Sequence, residues 1–154
     1  MEKNILKEVI VYMDGSCLYN PGPGGWACIL IYNGIEKRIS GAEHNTTNNR
    51  MELTAVIKSL QALKEKCECY IYSDSSYVIN AFNNNWINEW KNKNWKNSQK
   101  KEVLNKDLWE QLSELVEYHI VHFVKVKGHS DDEYNNICDK MARDSATKLL
   151  NNPN

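Results

Sequence analysis

The sequence predicts a mixed α/β fold in which antiparallel strands come first and parallel crossovers follow. Three observations carry this. An Asn33-Gly34 pair between two apolar runs is the strongest short hairpin signal a sequence offers. Leu53, Val56, Ile57, Leu60 and Leu63 recur at helical spacing. From residue 69 onward, strand-like runs alternate with helical ones.

Val9, Ile10 and Val11 open a first strand that ends at Asp14-Gly15, and Pro21-Gly22-Pro23-Gly24-Gly25 turns the chain. Residues 26–32 read as a buried second strand, and residues 35–42 as a third beyond the hairpin. An amphipathic helix is expected over residues 47–64, with Ala55 and Ala62 near its apolar stripe and Glu52 in its early turns. Residues 69–73 make a fourth strand ending at Asp74, and residues 75–82 a short helix. An Asn- and Lys-rich stretch carrying tryptophans follows, then a helix over residues 104–117, a fifth strand over 120–126, a loop over 127–134 and a last helix over 136–150. There are no internal repeats, and residues 151–154 are expected to form a short disordered tail.

The chain has 154 residues, 42% hydrophobic and 25% charged, the size and mixture of one domain with a sizeable core over residues 1–150. No run approaches the roughly 20 apolar residues of a membrane span, and Met1 to Asn4 leads into a strand-like segment without a secretory core. The expected address is the cytoplasm. Five cysteines, an odd number with no CxxC pair, read as reduced thiols; Cys67 and Cys69 share one face of a strand. Asn45-Thr46-Thr47 matches a glycosylation sequon, which has no meaning without secretion. A net charge of −1 hides a local imbalance: between Trp86 and Lys106 six lysines face two acids, a local +4 that leaves −5 elsewhere. That segment points to an anionic partner.

Asp14, Glu52, Asp74 and Asp139 lie in four separate segments, each at a strand end or in the first turns of a helix. Carboxylates scattered along a chain and gathered by its fold are what a hard divalent cation takes as ligands, and strand ends at one edge of a parallel sheet share a crevice. Each acid alone also admits a structural reading. Asp74 before Ser75 suits a helix N-cap, Glu52 near a helix start answers the macrodipole, and Asp139 suits a solvated helix face. The set favours the cation, because neighbouring carboxylates repel one another without one.

Six motifs in order extend this: Asp14-Gly15-Ser16-Cys17; Asn20-Pro21-Gly22-Pro23-Gly24-Gly25-Trp26-Ala27; Thr46-Thr47-Asn48-Asn49-Arg50-Met51-Glu52-Leu53; Ser73-Asp74-Ser75; Val126-Lys127-Gly128-His129; and Cys138-Asp139. Together, from about Val9 to about Leu150, they resemble the bacterial type 1 ribonuclease H family. The resemblance implies a ribonuclease H-like fold: a five-stranded mixed sheet flanked by helices, with a basic helical protrusion. It implies an endonuclease that hydrolyses the RNA strand of RNA–DNA hybrids with two Mg²⁺ ions, Mn²⁺ being a possible substitute, and leaves 5′-phosphate and 3′-hydroxyl ends. Asp14, Glu52, Asp74 and Asp139 are then the metal ligands, one ion activating the attacking water and the other steadying charge on the leaving 3′ oxygen. His129 takes proton transfer or product release, a task that suits an imidazole titrating near neutrality. His44, His119 and His122 are expected to serve packing or the surface.

The same resemblance assigns the grip on the hybrid. Asn20, Asn48 and Asn49 fall where the family contacts the minor groove, beside Gly15 and Ser16, and short amides both donate to and accept from a 2′-hydroxyl. Thr47 and Asn105 match a DNA-phosphate site whose usual arginine is here Asn45, and Ser76 stands where relatives often carry a base-reaching Gln. The stretch from Trp86 to Lys96 resembles the protrusion that lies against DNA: Lys91, Lys93 and Lys96 suit phosphates, while Trp86 and Trp90, four apart on one helix face, suit packing as well as contact. With only +4 there, weaker and salt-sensitive hybrid binding is expected. A hybrid-binding module without catalysis would need one of the four acids missing, and none is. Another nuclease of the same fold, a resolvase or exonuclease, is disfavoured by the Thr46–Glu52 run and the protrusion. A monomer with no obligate protein partner is expected.

Overall fold

The structure, a computed structural model, describes residues 5–127 and 132–152. Its elements run β1 (Lys7–Cys17), β2 (Gly22–Tyr32), β3 (Ile35–Thr46), α1 (Asn48–Gln61), β4 (Cys67–Ser73), α2 (Ser76–Asn83), α3 (Trp86–Asn92), α4 (Lys106–Tyr118), β5 (Ile120–Lys125) and α5 (Glu133–Asn151). The five strands form one sheet in the order β3-β2-β1-β4-β5. β1–β2 and β2–β3 are antiparallel, while β1–β4 and β4–β5 are parallel, the mixed sheet that the sequence predicts.

The Asn33-Gly34 hairpin forms because both residues take positive φ, 53° and 78°, and a two-residue turn of that hand matches the twist of the strands it joins. Along β1, Val9, Val11 and Met13 are buried and join the core with Leu53, Val56 and Leu60 of α1. Tyr12, between them, stacks on Tyr134 of α5 at 5.0 Å. Side chains alternate across a strand, so α1 and α5 lie on opposite faces of the sheet. Each large apolar side chain fully buried in this way contributes about 1.5–3 kcal/mol.

Several boundaries differ from those expected. β1 continues three residues past Asp14, because Gly15, Ser16 and Cys17 pair with Trp26, Gly25 and Gly24 of β2. β2 begins at Gly22, inside the Pro/Gly run that reads as a turn, because Gly22 pairs with Thr46 of β3. Asp14 therefore does not close its strand; it lies just beyond Tyr12, where pairing with β4 stops. α1 is shorter than the apolar pattern: the Thr47 side chain caps it by accepting from the Arg50 N–H at 3.2 Å. α5 starts three residues early because Asp132 Oδ1 caps it, accepting from the Asn135 N–H at 3.1 Å. All five cysteines are free thiols, four of them buried.

Candidate active site

Four elements deliver the four predicted carboxylates to one cleft of about 240 Å³, lined also by Gly15, Ser16, Asn48, Asn135 and Asn136. Asp14 and Tyr12 share the α5 face of β1, and Asp139 comes from α5 on that side. Gly15 faces the other way, toward α1. A Cβ on Gly15 would stand 2.3 Å from the Glu52 nitrogen and 2.4 Å from the Met51 carbonyl carbon. The missing side chain thus lets strand and helix backbones touch, which brings Glu52 to the cleft. Asp74 follows directly on β4.

Local hydrogen bonds discriminate between the readings of each acid. The N-cap of α2 is Ser75, whose Oγ accepts from the Val78 N–H at 3.3 Å, so Asp74 is free of that structural duty. The same Ser75 hydroxyl donates to Glu52 Oε2 and ties α2 to α1. Asp14 Oδ1 accepts from the Gly15 N–H at 2.9 Å. Asp139 Oδ2 is paired with Arg143 one turn on, at 3.1 Å.

Asp14 is only 6% exposed. Burial first, and the charge of Asp74 next, push its carboxyl up to about 8, with smaller contributions from Asp139 and Glu52 and an opposing one from the Gly15 N–H. Burial likewise pushes Glu52 up to about 7, with Asp74 adding and the Ser75 hydroxyl opposing. Among the described residues neither Asp14 nor Glu52 has an ion-pair partner, so positive charge reaches the four acids only through Arg143 at Asp139. Among the described residues no three His, Cys, Asp or Glu side chains are drawn into a finished ligand set. An all-oxygen donor set short of positive charge fits a hard divalent cation.

His129 lies outside the described residues. Of the other predicted contacts, Gly15, Ser16 and Asn48 line the cleft itself. Asn48 begins α1 and Asn49 follows it; Asn20 Oδ1 accepts from the Asn48 N–H at 3.0 Å. Thr47 and Asn105 are joined through Arg50, whose Nη1 donates to Asn105 Oδ1 at 3.2 Å and to Asp107 Oδ1 at 3.0 Å. Asn105 Nδ2 donates to Tyr77 Oη at 3.0 Å, which also accepts from Trp109 Nε1 at 3.1 Å. The Asn105 amide keeps one N–H to donate outward.

On the protrusion, Trp90 packs against Trp109 at 5.4 Å and belongs with the core, whereas Trp86 is 37% exposed. Lys93 and Lys96 line a groove with both rings, but Lys91 is held by Glu117 of α4. His119 is buried and accepts from the Cys67 N–H through Nδ1 at 3.1 Å, while His122 pairs with Glu68 at 3.0 Å. Both are packing roles, as expected.

Sequence reasoning missed Ser75, Asn135 and Asn136 at the cleft, and Lys125, whose amine donates to Ser76 Oγ. Asn135 had a signal, its place four residues before Asp139 on a helix face. Lys125 had none, because its reach to Ser76 depends on the β4–β5 register, which sets Lys125 opposite Ser73.

A family model described as RNase H matches residues 6–147. A ribonuclease H of Caldicellulosiruptor saccharolyticus is 58% identical over 138 residues, covering 90% of this chain and 95% of that relative. The crystal structure of LC9-RNase H1, a type 1 RNase H with the type 2 active-site motif, superposes with a TM-score of 0.83 at 28% identity, covering 96% of this chain and 75% of that one. LC11-RNase H1 in complex with RNA/DNA hybrid shares the fold, with a TM-score of 0.71 at 21% identity over 92% of this chain and 99% of that one. The carboxylate cleft and these matches agree with the motif resemblance, and the chain belongs to the bacterial ribonuclease H family.

Proposed function

We propose that this endoribonuclease cleaves the RNA strand of RNA–DNA hybrids at the carboxylate cleft, by hydrolysis that depends on two divalent cations and leaves 5′-phosphate and 3′-hydroxyl ends. The observation that carries the reading is the arrival of Asp14, Glu52, Asp74 and Asp139 from four elements at one cleft, two of them with carboxyls raised by burial and by the charge of Asp74. The four acids would hold the ions, Mg²⁺ by preference with Mn²⁺ as substitute. When bound, the ions supply Lewis acidity for the attacking water and for charge building on the leaving 3′ oxygen.

The protein's own groups do the rest. Ser75 holds the Glu52 carboxylate at the cleft, and Gly15 keeps α1 close enough for it to arrive. His129 is assigned proton transfer. Asn20, Asn48 and Asn49, with Gly15 and Ser16, face the RNA strand, where amides read 2′-hydroxyls. Thr47 and the free N–H of Asn105 hold a DNA phosphate, and Arg50 orients both. Trp86, Trp90, Lys91, Lys93 and Lys96, with Ser76, support the DNA strand. The enzyme is read as a cytoplasmic, single-domain monomer without an obligate partner. The hybrid carried by its fold neighbour LC11-RNase H1 supports the substrate.

One assay tests this: labelled hybrid, duplex RNA, duplex DNA and single strands, each with Mg²⁺, Mn²⁺ or EDTA. Hybrid-only, EDTA-sensitive cleavage with 5′-phosphate products is expected. Binding of hybrid without cleavage would refute it.

A further inference from the structure

Asn135, which lines the cleft, carries a polar atom that the described residues leave unserved. Asn135 sits on the first turn of α5, one helical turn before Asp139, and is 2% exposed. Its backbone N–H is satisfied by Asp132 Oδ1 at 3.1 Å. Its side-chain oxygen, Oδ1, is buried and has no hydrogen-bond partner among the described residues. Buried amide oxygens are almost always paired, because leaving one unpaired forfeits its hydration without return. Asn135 nevertheless lines the same cleft as Asp14 and Asp139. Donors line the cleft too, on Ser16, Asn48 and Asn136, yet none of them is bonded to this oxygen, and the ionised carboxylates beside it only accept.

From the orphaned oxygen at this position we propose that Asn135 is a further catalytic residue: Oδ1 accepts a hydrogen bond from the water that attacks the RNA phosphate. The inference rests on the hydrolytic reading above. A water has two O–H groups. If one is given to Oδ1, the water is held with a lone pair free to form the new P–O bond, while the second O–H proton leaves toward solvent or base as the P–O3′ bond breaks. A neutral amide suits the task better than a fifth carboxylate, because it orients the water without adding to a charge the cleft already holds in excess. It also explains why an unsatisfied acceptor persists in a buried place: the partner arrives with the reaction.

The test compares the parent chain with Asn135→Ala and Asn135→Ser on labelled hybrid, measuring kcat, KM, the Mg²⁺ concentration for half-maximal rate, and the thermal midpoint. Asn135→Ala is expected to lose kcat by on the order of 10²-fold, with KM and the Mg²⁺ requirement unchanged. Asn135→Ser, which keeps an acceptor at shorter reach, should recover part of the loss; a merely structural role would not give that rescue. Either variant serves if the other fails to fold. A kcat within twofold of the parent overturns the proposal, as does activity restored by raising Mg²⁺, which would make Asn135 a metal ligand, or a change confined to KM. A parent that does not cleave hybrid sinks the hydrolytic reading and this inference together; a parent that cleaves beside an equally active Asn135→Ala sinks only the inference.

Discussion

Asp14 on β1 and Asp74, the first residue past β4, stand level in the register of these two parallel strands. The β1–β4 register pairs Tyr12 with Tyr72, and the same offset carried two residues further sets the two acids opposite one another where the pairing has just stopped. Tyr12 and Tyr72 stack at 5.2 Å on the face of the sheet from which the Asp14 carboxylate emerges. After burial, the charge of Asp74 is the largest influence raising the Asp14 carboxyl.

Asp14→Asn should abolish nearly all hybrid cleavage while raising the thermal midpoint of the metal-free protein above about pH 8, where the Asp14 carboxyl is ionised and the substitution removes a buried charge from a repulsive group. His129→Ala should lose on the order of 10²-fold, the usual worth of a proton-transfer group. Initial rates on labelled hybrid check both. Equal residual activity in the two variants would break the assignment of roles.

Stability without metal should fall as pH rises. The folded-state carboxyls of Asp14 and Glu52 lie near 8 and 7, above the ordinary range. From about pH 4 upward the unfolded chain has released these protons while the folded chain keeps them, so folding loses ground until the folded values are passed. Thermal melts in EDTA from about pH 5 to about pH 8 should therefore show a falling midpoint, and millimolar Mg²⁺ should raise it most at the alkaline end. A midpoint indifferent to Mg²⁺ at about pH 8 would count against a cation at this cleft.

Gly15→Ala should be costly out of proportion to one methyl group. The new Cβ meets backbone atoms of Met51 and Glu52, which cannot swing aside as a side chain can. Strand and helix must part, at about 1–3 kcal/mol, and Glu52 must retreat. Denaturant melts and cleavage rates should both decline. A variant with parental stability and rate would show that the contact relaxes freely.

Hybrid binding should depend on salt through few lysines. Replacing Lys93 and Lys96 by Gln should raise KM at unchanged kcat and flatten the slope of log KM against log salt by about 2. Glu117→Gln should act in the opposite direction by freeing Lys91; the exposed pair it breaks is worth only about 0–1 kcal/mol. Slopes unchanged in the double variant would remove the protrusion from the binding surface.

Much of the fold was legible because its signals are local. Asn33-Gly34 specifies a turn wherever it falls between apolar runs, and the spacing of Leu53, Val56, Ile57 and Leu60 specifies the buried stripe of α1. Errors gathered at ends where a distant partner decides. Local turn chemistry at residues 21–25 suggests a loop, yet Gly24 and Gly25 enter β2 because Cys17 and Ser16 are there to pair with them. Likewise Asp132 starts α5 earlier than the apolar pattern does.

The division at the site follows the same line. By itself the sequence determined which groups are present: four acids with their motif neighbours, a family resemblance, and a lysine-rich segment with tryptophans. Only the tertiary structure decided which of them meet. It set Asp14 level with Asp74 through strand register, and it gave the capping of α2 to Ser75, leaving Asp74 for the cleft. It gave Trp90 to the core while leaving Trp86 exposed, and it left the Asn135 oxygen buried beside the acids without a partner among the described residues. The reason is physical: propensity and periodicity act over a few neighbouring residues, whereas burial, carboxylate repulsion and hydrogen-bond satisfaction depend on groups brought together from distant parts of the chain.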